Sequence, residues 1–184
     1  MSTADTLKRI ATGDRVAFST LYTDRHADLV RYASALLAGD SETAQDVVDE
    51  AFLCVWREAD RYSGAGSADG WIRRIVRNKA VDWLRCRRER PFASDAEQSL
   101  VERMADDADT PAAAAEKSCA ARELRAALQR LSPNHREVVW LCYFEDRSLS
   151  DIALIAGCPE NTVKTRLFHA RRQLRSELES LKAS

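Results

Sequence analysis

The chain has 184 residues, with 28 lysines and arginines against 29 aspartates and glutamates, so its formal net charge is −1. This length suits one ordinary domain or two small ones. Hydrophobic residues make up 45% of the chain and glycine and proline are scarce, which excludes a collagen-like or low-complexity protein and disfavours wholesale disorder. No run approaches the roughly 20 apolar residues of a membrane span, and the first ten residues lack the apolar core of a secretory signal. We therefore expect a cytoplasmic protein without membrane insertion.

Apolar residues spaced at three and four positions predict helices in the N-terminal part of the chain. Asp14 and Ser41 are the predicted N-caps of the first two helical stretches. A third helix is predicted from about Trp71 to Arg87. No alternating pattern of useful length predicts a strand, so the expected fold class is all-α. The apolar faces of the first two stretches comprise Leu29, Tyr32, Ala33, Leu36 and Leu37, and then Val47, Val48, Ala51, Phe52, Val55 and Ala59.

A change of composition between Phe92 and Ala115 predicts a flexible acidic linker, because this segment is rich in Ala, Ser and Asp and poor in large apolar residues. Thr110-Pro111 and Ser132-Pro133 are each typical of a helix N-cap followed by proline at the first helical position. We therefore predict two small helical domains, residues 1–90 and 115–184, joined by a linker over residues 91–114. With no evident apolar surface between them, the two domains are expected to move independently.

The C-terminal part carries the most specific local pattern. Ser148 to Asp151 resembles a capping box, and Gly157 stands where a glycine ends a helix. A short helix, a tight turn with glycine and a longer basic helix together predict a helix-turn-helix. Phe168 lies on the polar and basic side of the second helix, which favours a surface that enters the major groove of DNA. The alternative is an ordinary helical hairpin with a charged exterior.

The near-zero net charge hides a strong segregation of charge along the chain. Residues 38–60 carry seven acids and one base, and residues 61–90 carry nine bases and three acids. Residues 91–118 carry seven acids and two bases, and residues 159–175 carry five bases and one acid. Two basic blocks separated by an acidic stretch indicate two surfaces for a polyanion. A solvated face held by salt bridges remains the alternative.

The first basic block begins with a loop of small residues between Tyr62 and Trp71. The helix that follows is rich in arginine, and this combination suits bases that leave the duplex, since aromatic side chains stack on bases while arginines hold the backbone. We interpret Trp71 and Trp83 as core residues, with base stacking as the alternative. For Tyr62 both roles, packing and base stacking, stay open.

Catalytic and metal-binding patterns are absent from the sequence. The three histidines, His26, His135 and His169, have no metal-ligand spacing and no nearby nucleophile. The chain has no phosphate-binding glycine loop. We expect no catalytic residue, metal or cofactor, and no enzyme. The five cysteines contain no CxxC pair and predict buried reduced thiols, with redox sensing as the alternative; they are Cys54, Cys86, Cys119, Cys142 and Cys158.

Four blocks resemble, in order, successive regions of the extracytoplasmic-function (group four) sigma factors of bacterial RNA polymerase. The blocks are TAQDVVDEAFLCVW at 43–56, WIRRIVRNKAVD at 71–82, LSPNHREVV at 131–139 and GCPENTVKTRLFHAR at 157–171. The resemblance implies an alternative sigma factor that binds core RNA polymerase, directs it to specific promoters and initiates transcription in a stress or envelope response. Residues 1–90 would be the region 2-like domain and residues 115–184 the region 4-like domain.

The resemblance also implies partners and roles for residues. Region 2 would dock on the clamp helices of the largest polymerase subunit and melt the −10 element. Region 4 would contact the flap of the second-largest subunit and read the −35 element. The linker would pass through the RNA-exit channel. Promoter DNA and an anti-sigma protein are the other implied partners. The core-binding set is Asp46, Asp49, Glu50 and Leu53, the −10 set is Tyr62, Arg74, Arg77, Asn78 and Lys79, and the −35 set is Asn161, Thr162, Lys164, Thr165, Phe168, His169, Arg171 and Arg172.

Two other functions remain open from the sequence. A free-standing helix-turn-helix regulator would explain the C-terminal half, but not the acidic docking helix or the loop that follows Tyr62. A sigma mimic that titrates an anti-sigma protein without reading promoters should lack the basic residues of both blocks, whereas this chain keeps them.

Overall fold

The computed structural model describes residues 2–64, 66–89 and 111–182, and these residues form α-helices, one 3-10 turn and no strand. The all-α prediction is confirmed. Residues 91–110 of the predicted linker lie outside the described residues, and residues 111–114 already belong to a helix. The elements are α1 (Thr3–Ala11), α2 (Arg15–Leu36), α3 (Ser41–Glu58), the 3-10 turn Ala59–Arg61, α4 (Ala68–Glu89), α5 (Pro111–Gln129), α6 (Pro133–Tyr143), α7 (Leu149–Ala156) and α8 (Glu160–Lys182).

Short polar side chains begin most of these helices, and one predicted cap is wrong. Asp14 accepts hydrogen bonds from the N–H groups of Val16 and Ala17, as predicted. The N-cap of α3 is Asp40 and not Ser41, because the Asp40 carboxylate accepts from the N–H of Thr43 and Ser41 is already helical. The predicted caps at Ser132 and Ser148 are confirmed. Helix α1, which Ser2 caps, was not predicted from the sequence.

The N-terminal half, residues 2–89, packs α1, α3 and α4 around α2. The apolar spacing predicted for α2 and α3 is confirmed, since Tyr32, Val48 and Phe52 are buried, and Val76 adds the buried face of α4. Trp71 and Trp83 are half-buried and pack against this core, which agrees with their interpretation as core residues.

The C-terminal half, residues 111–182, places α6 and α7 against the long helix α8, and α5 packs on α8 from another side. Leu141, Ile152 and Val163 are fully buried at the centre of this group. Gly157 ends α7 with φ 61°, a left-handed conformation that glycine adopts without strain, and thereby turns the chain from α7 into α8. The predicted helix-turn-helix therefore has its expected elements.

The two halves pack against each other, which the sequence analysis did not expect. Helix α6 lies on α2 and α7 lies on α4, and one continuous cluster of buried apolar side chains extends through both halves. Arg136 of α6 donates a hydrogen bond of 3.0 Å to the carbonyl of Leu36 at the end of α2. The premise that no surface joins the halves is wrong, so independent movement does not follow from it.

The cysteine prediction needs a correction as well. Cys54, Cys142 and Cys158 are half-buried and Cys86 is exposed, and all four are free thiols. The prediction of buried thiols, which used the apolar sequence neighbours of several cysteines, is therefore wrong for Cys86 and only partly correct for the other three. The side chain of Cys119 lies outside the described residues. In the part of the chain that the structure describes, no helix is long and apolar enough to cross a membrane.

The corrected cap of α3 gives a direct test of local stability. Asp40→Ala should lower the free energy of unfolding by about 1 kcal/mol, since the N–H of Thr43 loses its acceptor. Ser41→Ala should change it by less than about 0.5 kcal/mol, because a helical surface residue is not the cap. Urea denaturation followed by circular dichroism measures both values. Equal losses from the two variants would contradict the assignment of Asp40.

Candidate nucleic-acid interface

Helix α8 presents a continuous exposed face on the side opposite its core contacts. Val163, Leu167 and Ala170 are buried against α6 and α7. Phe168 is 63% exposed, which is unusual for a large aromatic side chain and agrees with a surface that awaits a partner. We call this the recognition face; it comprises Asn161, Lys164, Thr165, Phe168, His169 and Arg172, which are all exposed, with the half-buried Thr162 beside them.

Local contacts order the recognition face. Lys164 Nζ lies 3.0 Å from a carboxylate oxygen of Glu160, one turn earlier in α8. The hydroxyl of Thr165 donates to the carbonyl of Asn161 at 2.9 Å. The ring of His169 lies between those of Phe168 and His135, with centroids 5.5 and 6.5 Å away.

Arg171 is set apart from the rest of the predicted −35 set. Its Nε lies 2.5 Å from the hydroxyl of Tyr143, and its guanidinium stands over the Tyr143 ring at 5.5 Å. It lines an apolar groove of about 560 Å³ between α5, α6 and α8. Tyr143 and Phe144, each about half exposed, line the same groove, and the sequence analysis missed them.

The predicted core-binding residues share one exposed face of α3. Asp46, Asp49 and Glu50 are exposed, and Leu53 is 54% exposed beside them. We call these four residues the docking face. The carboxylate of Asp49 accepts a 2.9 Å hydrogen bond from Tyr22 of α2, and this bond raises the pKa of Tyr22. His26 Nε2 lies 3.3 Å from the same carboxylate. Tyr22 and His26 therefore flank the docking face, and nothing in their spacing predicted this.

The predicted −10 set does not form one surface. Arg74 and Asn78 are exposed one turn apart on α4. Tyr62 is half-buried; its hydroxyl donates to the carbonyl of Gly66 at 2.9 Å, and its ring centroid lies 5.8 Å from that of Trp71. Lys79 points to the docking face, where its Nζ lies 3.2 Å from Glu50, and this hydrogen bond raises the pKa of Lys79. Arg77 points into the C-terminal half.

Family models match both halves of the chain. The model for Sigma-70 region 2 matches residues 21–90, and the model for Sigma-70 region 4 matches residues 121–174. The ECF RNA polymerase sigma factor SigL of Mycobacterium tuberculosis is 33% identical over 172 residues, which cover 93% of this chain and 94% of SigL. The chain belongs to the ECF sigma factors of the sigma-70 family.

Two further similarities agree with this family. The RNA polymerase sigma factor RfaY of Xanthomonas campestris is 33% identical over 94% of this chain, and the chain spans 43% of the length of RfaY. The sigma factor RpoE of Bartonella quintana, solved in complex with the anti-sigma factor NepR, superposes with a TM-score of 0.66 at 22% identity, over 88% of this chain and 96% of that one. The second similarity shows the shared fold.

Side chains of opposite charge join the region 2 half of this sigma factor to the region 4 half. Arg77 Nε donates to both carboxylate oxygens of Glu137, at 2.9 and 3.1 Å, and the hydroxyl of Tyr32 donates to the same carboxylate at 3.0 Å. Arg73 Nε lies 2.7 Å from a carboxylate oxygen of Glu145. The charge network, as we name it, comprises Asp69, Arg73 and Arg77 of α4 with Glu137, Glu145 and Arg147 of the C-terminal half.

Asp69 is the centre of the second part of this network. Arg147 from the C-terminal half and Arg73 from its own helix both donate to it, and Arg25 Nη1 lies 3.4 Å away. Burial alone would raise the pKa of the Asp69 carboxyl, but Arg73, Arg147 and Arg25 together lower it below its ordinary value. At Tyr32, burial and the neighbouring Glu137 act in the same direction and raise the pKa well above its ordinary value.

The charge network was not predicted, although the sequence contains one signal of it. Glu137 precedes the buried Leu141 by four residues, so both lie on the inner face of α6. Arg73 likewise shares the inner face of α4 with Val76 and Ala80. A charged side chain on an apolar helix face is buried with a partner or not at all.

The lowered pKa of Asp69 predicts a stability change with pH. A carboxyl whose pKa is lower in the folded than in the unfolded protein contributes stability above its unfolded value, near 3.8, and loses it as the pH falls through the folded value. Asp69→Asn should therefore melt at a lower temperature than the wild type at pH 7, and this difference should shrink below about pH 4. Scanning calorimetry from pH 7 to pH 3 measures it. The exposed Asp146, replaced by Asn, is the control that should follow the wild type. A difference independent of pH would contradict the role of the Asp69 charge.

Proposed function

We propose that this ECF sigma factor binds core RNA polymerase in the cytoplasm, directs it to specific promoters and initiates transcription in a stress or envelope response. The recognition face of α8, exposed after the left-handed turn at Gly157, carries this proposal. In this proposal residues 1–90 melt and recognise the −10 element, and residues 115–184 recognise the −35 element. The polymerase core catalyses RNA synthesis.

The recognition face suits the −35 element. Lys164 and Thr165 lie within the first two turns of α8, where a recognition helix brings side chains to base edges. A lysine ammonium binds the O6 and N7 acceptors of guanine, and Phe168 can contact a thymine methyl group. Arg172 lies two turns later and suits a phosphate, which positions the protein without specifying sequence.

The −10 element would lie along α4 and the loop before it. Arg74 and Asn78 are exposed and available to a single strand, and the small residues next to Tyr62 permit close approach of the backbone. Arg77 and Lys79 would have to exchange Glu137 and Glu50 for DNA phosphates.

The docking face suits the clamp helices of the largest polymerase subunit. Three carboxylates beside one exposed leucine offer both charge complementarity and an apolar contact. Region 4 would contact the flap of the second-largest subunit. An anti-sigma protein is a further proposed partner, supported by the Bartonella sigma factor that was solved with one.

Reversing charge on the docking face tests the polymerase contact. Asp46→Lys combined with Glu50→Lys should weaken binding to core polymerase by at least about tenfold, because two attractive charges become repulsive. The control is Asp24→Lys with Asp60→Lys, which changes net charge equally at exposed sites outside α3. Competition for core polymerase against the wild type, followed by run-off transcription, measures the effect. Equal competition by all three proteins would remove α3 from the docking site.

Two substitutions distinguish base recognition from phosphate binding on α8. Lys164→Ala should relax the preference at one or two −35 positions, at a cost of about 1–3 kcal/mol for the preferred base. Arg172→Ala should weaken binding to all sequences alike and reduce the salt slope by about one. Holoenzyme binding to single-base promoter variants at two salt concentrations measures both. A base preference altered by Arg172→Ala alone would reverse the assignment.

A further inference from the structure

We propose that the charge network is an intramolecular lock, in which the region 4 carboxylate of Glu137 occupies Arg77, an α4 arginine that DNA would otherwise bind, while Glu145 holds the neighbouring Arg73. In the free protein, region 4 thus competes with the −10 strand for region 2. This inference rests on the proposed function, because it takes α4 as the −10 surface.

The contacts at Arg77 have the form of anion recognition. Its guanidinium reaches both oxygens of the Glu137 carboxylate, at 2.9 and 3.1 Å, and arginine binds a planar carboxylate or a phosphate with the same groups. Glu137 is 1% exposed and the side chain of Arg77 is 16% exposed, so most of this contact is removed from water. Arg73 is 5% exposed and lies 2.7 Å from Glu145. Both guanidinium groups are therefore engaged by region 4 carboxylates while the halves remain packed.

The loop before α4 and the first turn of α4 also contact the C-terminal half. A Cβ atom added at Gly70 would lie 3.7 Å from the side chain of Ile155, and one added at Gly66 would lie 3.7 Å from that of Leu154. Both partners belong to α7, the first helix of the helix-turn-helix. The loop between Tyr62 and α4 thus contacts α7, the helix that packs against α8 and supports its recognition face.

The same packing leaves the recognition face of α8 open, as the 63% exposure of Phe168 shows. The closed arrangement nevertheless excludes simultaneous reading of both promoter elements. About 25 base pairs separate positions −10 and −35, which is about 85 Å along the duplex at 3.4 Å per base pair. A packed chain of this length has a radius of gyration of about 16 Å. The halves must separate before both elements are bound.

The buried ion pairs stabilise only the closed form, in which the two halves are packed together. In the closed form Arg77 depends on Glu137 for compensation, whereas in an open form water hydrates both groups. Removing one partner of a buried pair leaves an uncompensated charge in the closed form alone. Such a substitution shifts the equilibrium toward the open form, and the apparent affinity for DNA rises with the fraction of open protein.

Two full-length variants with opposite effects on net charge test the lock. Glu137→Gln with Glu145→Gln raises the net charge, whereas Arg147→Gln lowers it and removes the contact with Asp69. Asp146→Asn is the matched control, an exposed carboxylate next to Glu145. Small-angle scattering measures the radius of gyration, and fluorescence anisotropy measures binding to a labelled twelve-nucleotide single strand of mixed sequence.

We expect both lock variants to expand and to bind the strand about five- to tenfold more tightly than the wild type, while Asp146→Asn matches the wild type. Tighter binding by Arg147→Gln cannot come from added positive charge. If Glu137→Gln prevents folding, as judged by circular dichroism, Glu145→Gln alone replaces the double variant.

Two results would overturn the lock. Unchanged radii in both variants would mean that the network does not hold the halves together. Expansion without tighter binding would mean that the carboxylates do not compete with DNA. Run-off transcription by the wild type separates this failure from that of the proposed function: promoter-specific transcripts would leave the sigma function intact, and their absence would reject that function independently of the scattering result.

Discussion

The carboxylate of Glu137 is the contact on which the arrangement of this molecule depends. It lies at the interface of α2, α4 and α6, where Tyr32 and Arg77 of the N-terminal half both donate to it. A carboxylate without water is stable only with such partners. Because its partners come from two helices of the other half, Glu137 specifies how α6 sits on region 2, which apolar packing alone would define less sharply.

The charged side chains of this protein therefore form two groups, one exposed to water and one buried. Exposed charges, on the docking face and on the recognition face, are screened by salt and suit partners that must exchange. Buried charges, in the network around Asp69 and Glu137, are protected from that screening and act between the halves. Two arginines of α4, Arg77 and Arg73, are compensated in this way by Glu137 and Glu145 of the C-terminal half.

The sequence predicted the helices and their caps well because these depend on near neighbours. Asp14, Ser132 and Ser148 act within three residues of their own positions, and Gly157 acts through its own φ. The recognition face of α8 could be predicted from the spacing of apolar residues in a helix, since Val163 and Leu167 define the buried side. Asp40 was missed because two adjacent cap-forming residues, Asp40 and Ser41, cannot be ranked without the backbone.

Contacts between residues far apart in sequence could not be predicted in this way. The −10 set, which includes Arg74, Arg77 and Lys79, came from the family resemblance, and a resemblance of sequence does not show where side chains point. Their directions depend on Glu137 and Glu50, which come from other helices, so the set divides among three environments. Composition likewise gave no sign of the interface between the halves, because arginines and glutamates contribute to it beside its apolar side chains.

The ion pair between Glu50 and Lys79 connects two surfaces that the proposed function assigns to different ligands. Glu50 belongs to the docking face, and Lys79 belongs to the helix that follows the −10 loop. A cation from the polymerase that takes Glu50 leaves the Lys79 ammonium free for a phosphate, and a phosphate at Lys79 leaves Glu50 free for the polymerase. Thermodynamic linkage makes this exchange reciprocal, so each ligand strengthens the binding of the other by the same factor. A single surface ion pair can in this way give holoenzyme assembly and promoter binding a common cooperativity.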